Sequence, residues 1–342
     1  MTSPGVLGVM ATQRGLITRA QAVHAGLSPE RIDRLVRAGT WVAVRRAVYA
    51  ERRLWDDLTG WEARQLLRDR AACLRITKPH VLSHTSSALA LGMAILRPEA
   101  PMTHVTRRGV RGTRHEFGVK HHLAPYRQDQ VEARDGVLVL DGARTAVDIA
   151  REYGLRAGVV ACDSARRTGL AKSALVAAYA GMRSWPEVTV AREAVELSDP
   201  GSDSVGETLA RELVTELGHG RPETQFGLTD GQREVWCDLR IGRHIVEFDG
   251  RVKYSRPEHG GLARLDPDEV VWREKQRQDF VCGFKLGMSR LVWGDLWGIA
   301  RDRALARLAR EYADTSARFG DNIADLSPYV VRRSGHRPSA RL

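Results

Sequence analysis

The sequence predicts a multidomain protein that combines α+β and α/β architecture, and three observations carry that reading. Its 342 residues exceed what one hydrophobic core usually serves. Helix-cap signals and hairpin signals alternate in blocks along the chain. A Ser/Asp/Gly stretch, "SDPGSDSVGE" at 198–207, has the composition of a linker between two of those blocks. The blocks are residues 1–55, a mixed α/β middle at 56–198 and an α/β block at 199–318, followed by a basic, mobile tail at 319–342. A hydrophobic content of 43% with 28% charged residues suits folded domains rather than disorder.

In the first block, "GLITRAQAVHAG" offers Thr18 as a helix N-cap and Gly26 as a stop. "LSPERIDRLVRAG" follows at once, with Ser28 as N-cap, Pro29 at the first helical position and Gly39 just past the end. Ile32, Leu35 and Val36 make the apolar stripe of this second helix, while Arg31, Arg34 and Arg37 take its solvent side. "TWVAVRRAVYA" then has the β-branched and aromatic content of a small hairpin, with Arg45 and Arg46 near its turn. Helix, short turn, basic helix and hairpin is the order of a winged helix-turn-helix, with residues 29–38 as recognition helix. The plainer alternative is a small helical domain with a solvated arginine face.

Lys+Arg 53 against Asp+Glu 42 leaves a net charge of +11, which suits a polyanionic partner such as nucleic acid, and with the winged helix-turn-helix the expected partner is double-stranded DNA. An arginine-favouring genome is the bland source of the same number. Cys73, Cys162, Cys237 and Cys282 show no C-x-x-C spacing, which argues against a zinc module or a disulfide framework and for a reducing cytosol. The longest apolar run, "ALALGMAIL" at 88–96, is too short to span a bilayer, so no membrane partner and a cytoplasmic location are expected.

The middle block reads as "SHTSSALALG", a capped helix of small residues; "VLVLDGARTAVDIAREYG", a strand, turn and helix; and two further helices in "GVVACDSARRTGL" and "KSALVAAYAGM". His84, Thr85, Arg144, Thr145, Asp148 and Asp163 show no spacing that names a chemistry, and caps and buried hydrogen-bonding groups account for them. His121 and His122 are adjacent, point to opposite sides of a strand, and make a poor metal pair.

The third block holds an amphipathic helix (Val205, Leu209, Leu213, Leu217), a hairpin, a long helix that Asp266 and Pro267 would start, the strand "MSRLVW", and a final helix from about 296 to 317. In "DLRIGRHIVE" the natural turn is Gly242-Arg243, with glycine at the first central position as a type II′ turn wants. Ile241 then pairs with His244, and counting back places Asp238 across from Glu247, with Asp249 on the face of Glu247. Like charges in that position repel unless a cation lies between them, and two carboxylates suit a hard ion such as Mg²⁺ or Mn²⁺. Glu207 would project a third acid from the preceding helix; Ser204-x-x-Glu207 is equally a capping box. Lys253 would bring positive charge toward the metal or is an ordinary solvated lysine.

"D-x8-E-x-D" on a hairpin, with a glutamate on the helix before and a helix–strand unit after, resembles the PD-(D/E)XK nuclease fold. Its nearest branch is the very-short-patch-repair-like endonucleases, and the likeness extends over residues 199 to about 300. The resemblance implies a restriction-endonuclease-like domain hydrolysing DNA phosphodiesters, with Asp238 and Glu247 holding the metal and Glu207 as the helical glutamate; in a working site Glu207 or Asp249 would complete the metal's shell and Lys253 would stabilise charge. Cys237 stands where the signature has proline, and Asp249 where it has the catalytic lysine. The first fifty residues resemble the winged helix of AbiEi-family antitoxins, the transcription-regulating halves of AbiE-type toxin–antitoxin pairs, except that Ala47 replaces a common glycine. "LSHTSSALALG" through "ARTAVDIA" resembles the second domain of those proteins. This likeness implies a non-catalytic alternative: a repressor with a cognate toxin as partner and a degenerate nuclease fold.

Overall fold

The computed structural model describes residues 4–107, 109, 112–250 and 267–331, with the backbone alone for 267–271. It forms two compact units. One comprises Met1–Ala165 with Leu170–Leu197, the other Arg166–Gly169 with Ser198–Leu342.

The first unit opens with helix α1 (Pro4–Thr12) and strand β1 (Leu16–Thr18), neither of which the cap signals announce. Helix α2 (Arg19–His24) begins at Thr18 through a full capping box with Gln21, and α3 (Pro29–Arg37) begins at Ser28, whose hydroxyl accepts from the Arg31 N–H. Strands β2 (Trp41–Arg45) and β3 (Val48–Glu51) complete an antiparallel sheet in the order β1-β3-β2. Val6, Met10, Ile17, Ala22, Ile32, Trp41 and Tyr49 fill the core between this sheet and the helices. Leu16, Val48 and Ala50 are also fully buried, but against Leu67 and Ala71 of α5 (Gly60–Cys73), which follows α4 (Arg52–Asp57). The wing sheet is therefore covered on both faces, and the second cover comes from beyond residue 55.

The chain continues through β4 (Val81–Leu82), α6 (His84–Ala90), β5 (Thr103–Thr106), β6 (Arg114–Glu116), β7 (Val119–His122), β8 (Val131–Arg134) and β9 (Val137–Leu140). These strands form a mixed sheet in the order β6-β7-β5-β4-β9-β8, in which β5–β7 and β4–β9 are parallel. Helices α7 (Gly142–Tyr153), α8 (Leu155–Arg167), α9 (Lys172–Ala180) and α10 (Val188–Leu197) follow. Their core is rich in alanine, including Ala146, Ala150, Ala161, Ala165, Ala191 and Ala194. Such small side chains let helices approach closely: a Cβ added to Gly158 would lie 2.5 Å from that of Ala150. Several polar residues of this region act as buried hydrogen-bonding groups. Arg144 Nε meets Asp148 at 2.8 Å, and Thr145 Oγ1 donates to the Leu140 carbonyl at 3.1 Å.

The second unit consists of α11 (Val205–Thr215), β10 (Glu223–Thr229), β11 (Glu234–Ile241), β12 (His244–Asp249), α12 (Pro267–Gly283), β13 (Gly287–Val292), α13 (Gly298–Phe319) and β14 (Val330–Val331). Its sheet runs β13-β12-β11-β10-β14; β10, β11 and β12 form an antiparallel meander, and α12 carries the chain to β13, parallel to β12. The β11–β12 turn is the one expected, with Ile241 opposite His244 and Gly242 at φ +51°. The sequence does not announce β10, whose backbone passes Gln225 at φ +52°.

One expectation is corrected here. Residues 319–331 are not a tail. Leu326 is buried with Phe226 and Ile245, and β14 pairs with β10. The turn residue Arg243 is itself buried and donates to the Asn322 carbonyl at 2.7 Å and to the Asp325 carboxylate, so the segment clasps the hairpin. Residues 332–342 lie outside the described residues, as do Asp266 and Lys253. No helix among the described residues is long and apolar enough to cross a membrane.

Asp69 on α5 supplies a test of the first unit. It is fully buried; Gln65 and Thr103 each donate to its Oδ1 at 2.8 Å, and its Oδ2 has no hydrogen-bond partner among the described residues. Burial raises its pKa from 3.8 to about 6, against the opposing effect of the hydrogen bonds. Between those values the folded state keeps a proton that the unfolded state has lost, so stability falls as pH rises from about 4 to about 6. Asp69→Asn, compared with the parent protein in urea titrations across that range, should remove this fall in the transition of the first unit.

Candidate functional site

Two regions carry the residues singled out from the sequence. In the first, Arg34 and Arg37 of α3 are exposed and Arg31 partly so. Arg46 is exposed at the hairpin turn. Arg45 is placed differently: it is half-buried, burial lowers its pKa, and its guanidinium donates to the Phe117 carbonyl. Sequence reasoning missed Arg19, the first residue of α2. Its guanidinium grips Asp33 of α3 at 2.6 Å and 3.1 Å and reaches Tyr49 Oη at 3.3 Å. The hydrogen bonds from Arg19 hold the Asp33 carboxyl below its ordinary range. The one acid in the middle of the arginine face is thus locally neutralised, and α2, α3 and β3 are joined at one point. Ala47, in the wing turn, adopts φ +60°, the left-handed conformation that glycine takes with less strain.

The second region is the far end of the β11–β12 hairpin. Cross-strand pairing stops at Leu239 opposite Val246. A continued ladder would make Cys237 and Phe248 a hydrogen-bonded pair. Instead the Phe248 N–H donates to Asp238 Oδ2 at 2.9 Å, so the Asp238 carboxylate takes the place of a backbone acceptor and the strands part. Asp238 and Glu247 are both buried, at 7% exposure, and a side-chain cation pairs with Glu247. Arg277 of α12 binds Glu247 with both arms, Nη1 to Oε2 at 3.0 Å and Nη2 to Oε1 at 2.9 Å, and also donates to the Trp236 carbonyl. Burial opposes the Arg277 charge, but the pull of Glu247 outweighs it and holds the guanidinium pKa above its ordinary value. Glu274 extends the network, 3.6 Å from Arg277 and 2.7 Å from Arg290, the residue opposite Glu247 on β13. Burial and the nearby Glu247 push the Cys237 thiol upward, away from thiolate chemistry.

Glu207 is buried in the first turn of α11. Ser204 Oγ accepts from its N–H at 3.1 Å and donates to its Oε1 at 3.0 Å, while Asp203 N–H donates to its Oε2 at 2.7 Å. The capping arrangement is therefore present. Asp249, opposite Val292 at the end of β12, is partly exposed. Among the described residues, Asp238, Glu247 and Glu207 do not form a set whose oxygens all lie within 4.8 Å of one another; His84, His104 and His122 do form such a set through their ring nitrogens.

Two capped helices in quick succession, a three-stranded wing and exposed arginines on the second helix define the class of the N-terminal region, the winged helix-turn-helix. Residues 10–52 match the family described as "Transcriptional regulator, AbiEi antitoxin", so this part of the chain is AbiEi-like and supports the reading of a DNA-binding regulator. No curated protein matches the chain.

Removing Arg277 leaves the Glu247 charge buried and unpaired, which typically costs about 3 kcal/mol or more. Arg277→Met should destabilise the second unit by that order in urea unfolding. Adding Glu247→Gln should recover most of the loss, since it removes the stranded charge; additive losses in this double-mutant cycle would refute the coupling.

Proposed function

We propose that the protein is a DNA-binding transcriptional regulator of the AbiEi antitoxin kind, acting with a cognate toxin as partner. The observation that carries this reading is the arginine face of α3, capped at Ser28 and set on a wing, within the segment that matches the antitoxin family. Helix α3 enters the major groove, where Arg31, Arg34 and Arg37 meet phosphates and base edges, and Arg46 on the wing meets the backbone alongside. A net charge of +11 adds long-range attraction to duplex DNA. Arg45 positions the wing through Phe117 rather than reaching outward.

The second reading is a Mg²⁺- or Mn²⁺-dependent endonuclease. What favours it is the pair of buried carboxylates Asp238 and Glu247, at the parted end of a hairpin that has helices before and after it. In this reading the ion polarises the scissile phosphate and lowers the pKa of an attacking water, with Glu207 or Asp249 completing its shell and Lys253 stabilising charge. The regulator takes precedence because both Glu247 oxygens are held by Arg277 and both Glu207 oxygens serve the helix cap.

Two measurements decide between them. Charge reversal at Arg31 and Arg34 should weaken binding to the protein's own promoter DNA and lower the slope of log affinity against log salt by about two; unchanged binding would refute the role of α3. Supercoiled plasmid incubated with Mg²⁺ or Mn²⁺ should remain intact. Nicking that disappears in Asp238→Ala and in Glu247→Ala would establish the endonuclease instead.

A further inference from the structure

A buried histidine cluster lies in the first unit. His84 is the first residue of α6, His104 lies on β5, and His122 ends β7. All three are buried, at 4%, 0% and 7% exposure. The parallel register sets His104 beside Lys120 and Thr106 beside His122, so His104 and His122 lie two positions apart on one face of the sheet. His121 is on the other face and accepts from Arg107 Nε at 3.2 Å. The rings of His84 and His122 stack with centroids 3.9 Å apart, and the ring of His104 is 5.2 Å from each. One nitrogen from each of the three lies within 4.8 Å of the other two.

We infer that His84, His104 and His122 form a site for a divalent first-row transition metal ion, of which Zn²⁺ is the natural occupant. Tetrahedral Zn²⁺ with Zn–N distances of about 2.0–2.1 Å spaces its nitrogen ligands about 3.3 Å apart, within the separation these rings already have. Imidazole suits this class of ion, and oxygen-seeking Mg²⁺ or Ca²⁺ would not choose it. His104 Nδ1 faces His122 Nε2 at 2.9 Å; that hydrogen bond gives way to the metal, and the rings tilt out of their stack to aim their lone pairs. The opposite nitrogen of His104 faces Tyr153 Oη at 2.7 Å, and His84 Nδ1 faces Ser83 Oγ at 3.0 Å. Such outer partners fix the tautomer and aim of ligating histidines.

A plain core would satisfy His104 and His122 with one another and with Tyr153, and it would not need a third ring stacked upon them. The third ring is also held at a cost. His84 has φ +50°, a left-handed conformation that a residue with a Cβ adopts under strain. Among the described residues, three ligands from α6, β5 and β7 leave a fourth position open, the pattern of zinc sites that hold a water or a ligand.

The test uses the metal-stripped, untagged full-length chain with Co²⁺ and Zn²⁺ as probes. One equivalent of Co²⁺ should give the intense visible band of a four-coordinate site, displaced by Zn²⁺, and one equivalent of Zn²⁺ should raise the melting temperature of the first unit. His104→Gln and His122→Gln should each lower affinity by more than about 100-fold and abolish the band with unchanged far-UV circular dichroism, whereas His121→Gln keeps it. The spectrum of the parent protein stands even where a variant fails to fold. A folded parent protein that gives no band, or equal binding by the His104→Gln and His121→Gln variants, overturns the proposal.

Discussion

Glu247 is nearly out of contact with water, and a carboxylate there requires a positive partner. Arg277 provides it from α12, across the face of the sheet, with the bidentate geometry that makes guanidinium–carboxylate pairs strong. Much of the second unit is arranged around that requirement. The helix must cross at a height that brings residue 277 over the hairpin, the strands must part so that Asp238 can accept from Phe248, and β13 must lie beside β12 so that Arg290 and Glu274 close the network. Burying such a pair contributes little net stability compared with an apolar core, while breaking it is costly. The pair therefore acts chiefly to enforce one register of helix on sheet.

The first unit is organised by coverage rather than by charge. The wing sheet has two apolar faces, and only one is closed by the helices within the first fifty residues. Leu16, Val48 and Ala50 are dry because Leu67 and Ala71 lie against them. Arg45, donating to the Phe117 carbonyl, and Arg70, bonded to Asp135 at 2.9 Å, fasten the same region to the strands that follow. The DNA-reading helix proposed above is thus mounted on a larger body, which suits a regulator whose binding is modulated from outside its winged helix.

Local signals proved readable wherever one residue decides the outcome within a turn or two of chain. Thr18 and Ser28 are caps because a side-chain oxygen three residues from an orphan N–H can reach it in almost any fold. Gly242 makes the hairpin turn because its φ of +51° strains other residues. Elements without such punctuation escaped, among them α1, β1, α5, the strands β4 to β8 of the middle sheet, α10, β10 and β14. The strand β14 owes its existence to β10, and the segment before it to Arg243, partners about 80–100 residues away that no local pattern announces. The carboxylates were legible as residues and as an approximate pairing, but Arg277 looked like one cation among many on a charged helix. The three histidines escaped for a related reason: the spacing from 84 to 104 to 122 carries no metal signature until the parallel pairing of β5 and β7 aligns two of them.

By itself, then, the sequence determined the caps, the turn, the arginine face of α3 and the crowding of acids around Asp238 and Glu247. These follow from short-range geometry, which operates within a few residues. Only the tertiary structure decided what pairs with Glu247, what covers the second face of the wing, and which histidines meet. Each of those depends on elements distant in sequence being brought to within a few ångströms, and the free energy of burial that brings them there belongs to the whole core rather than to any stretch of it.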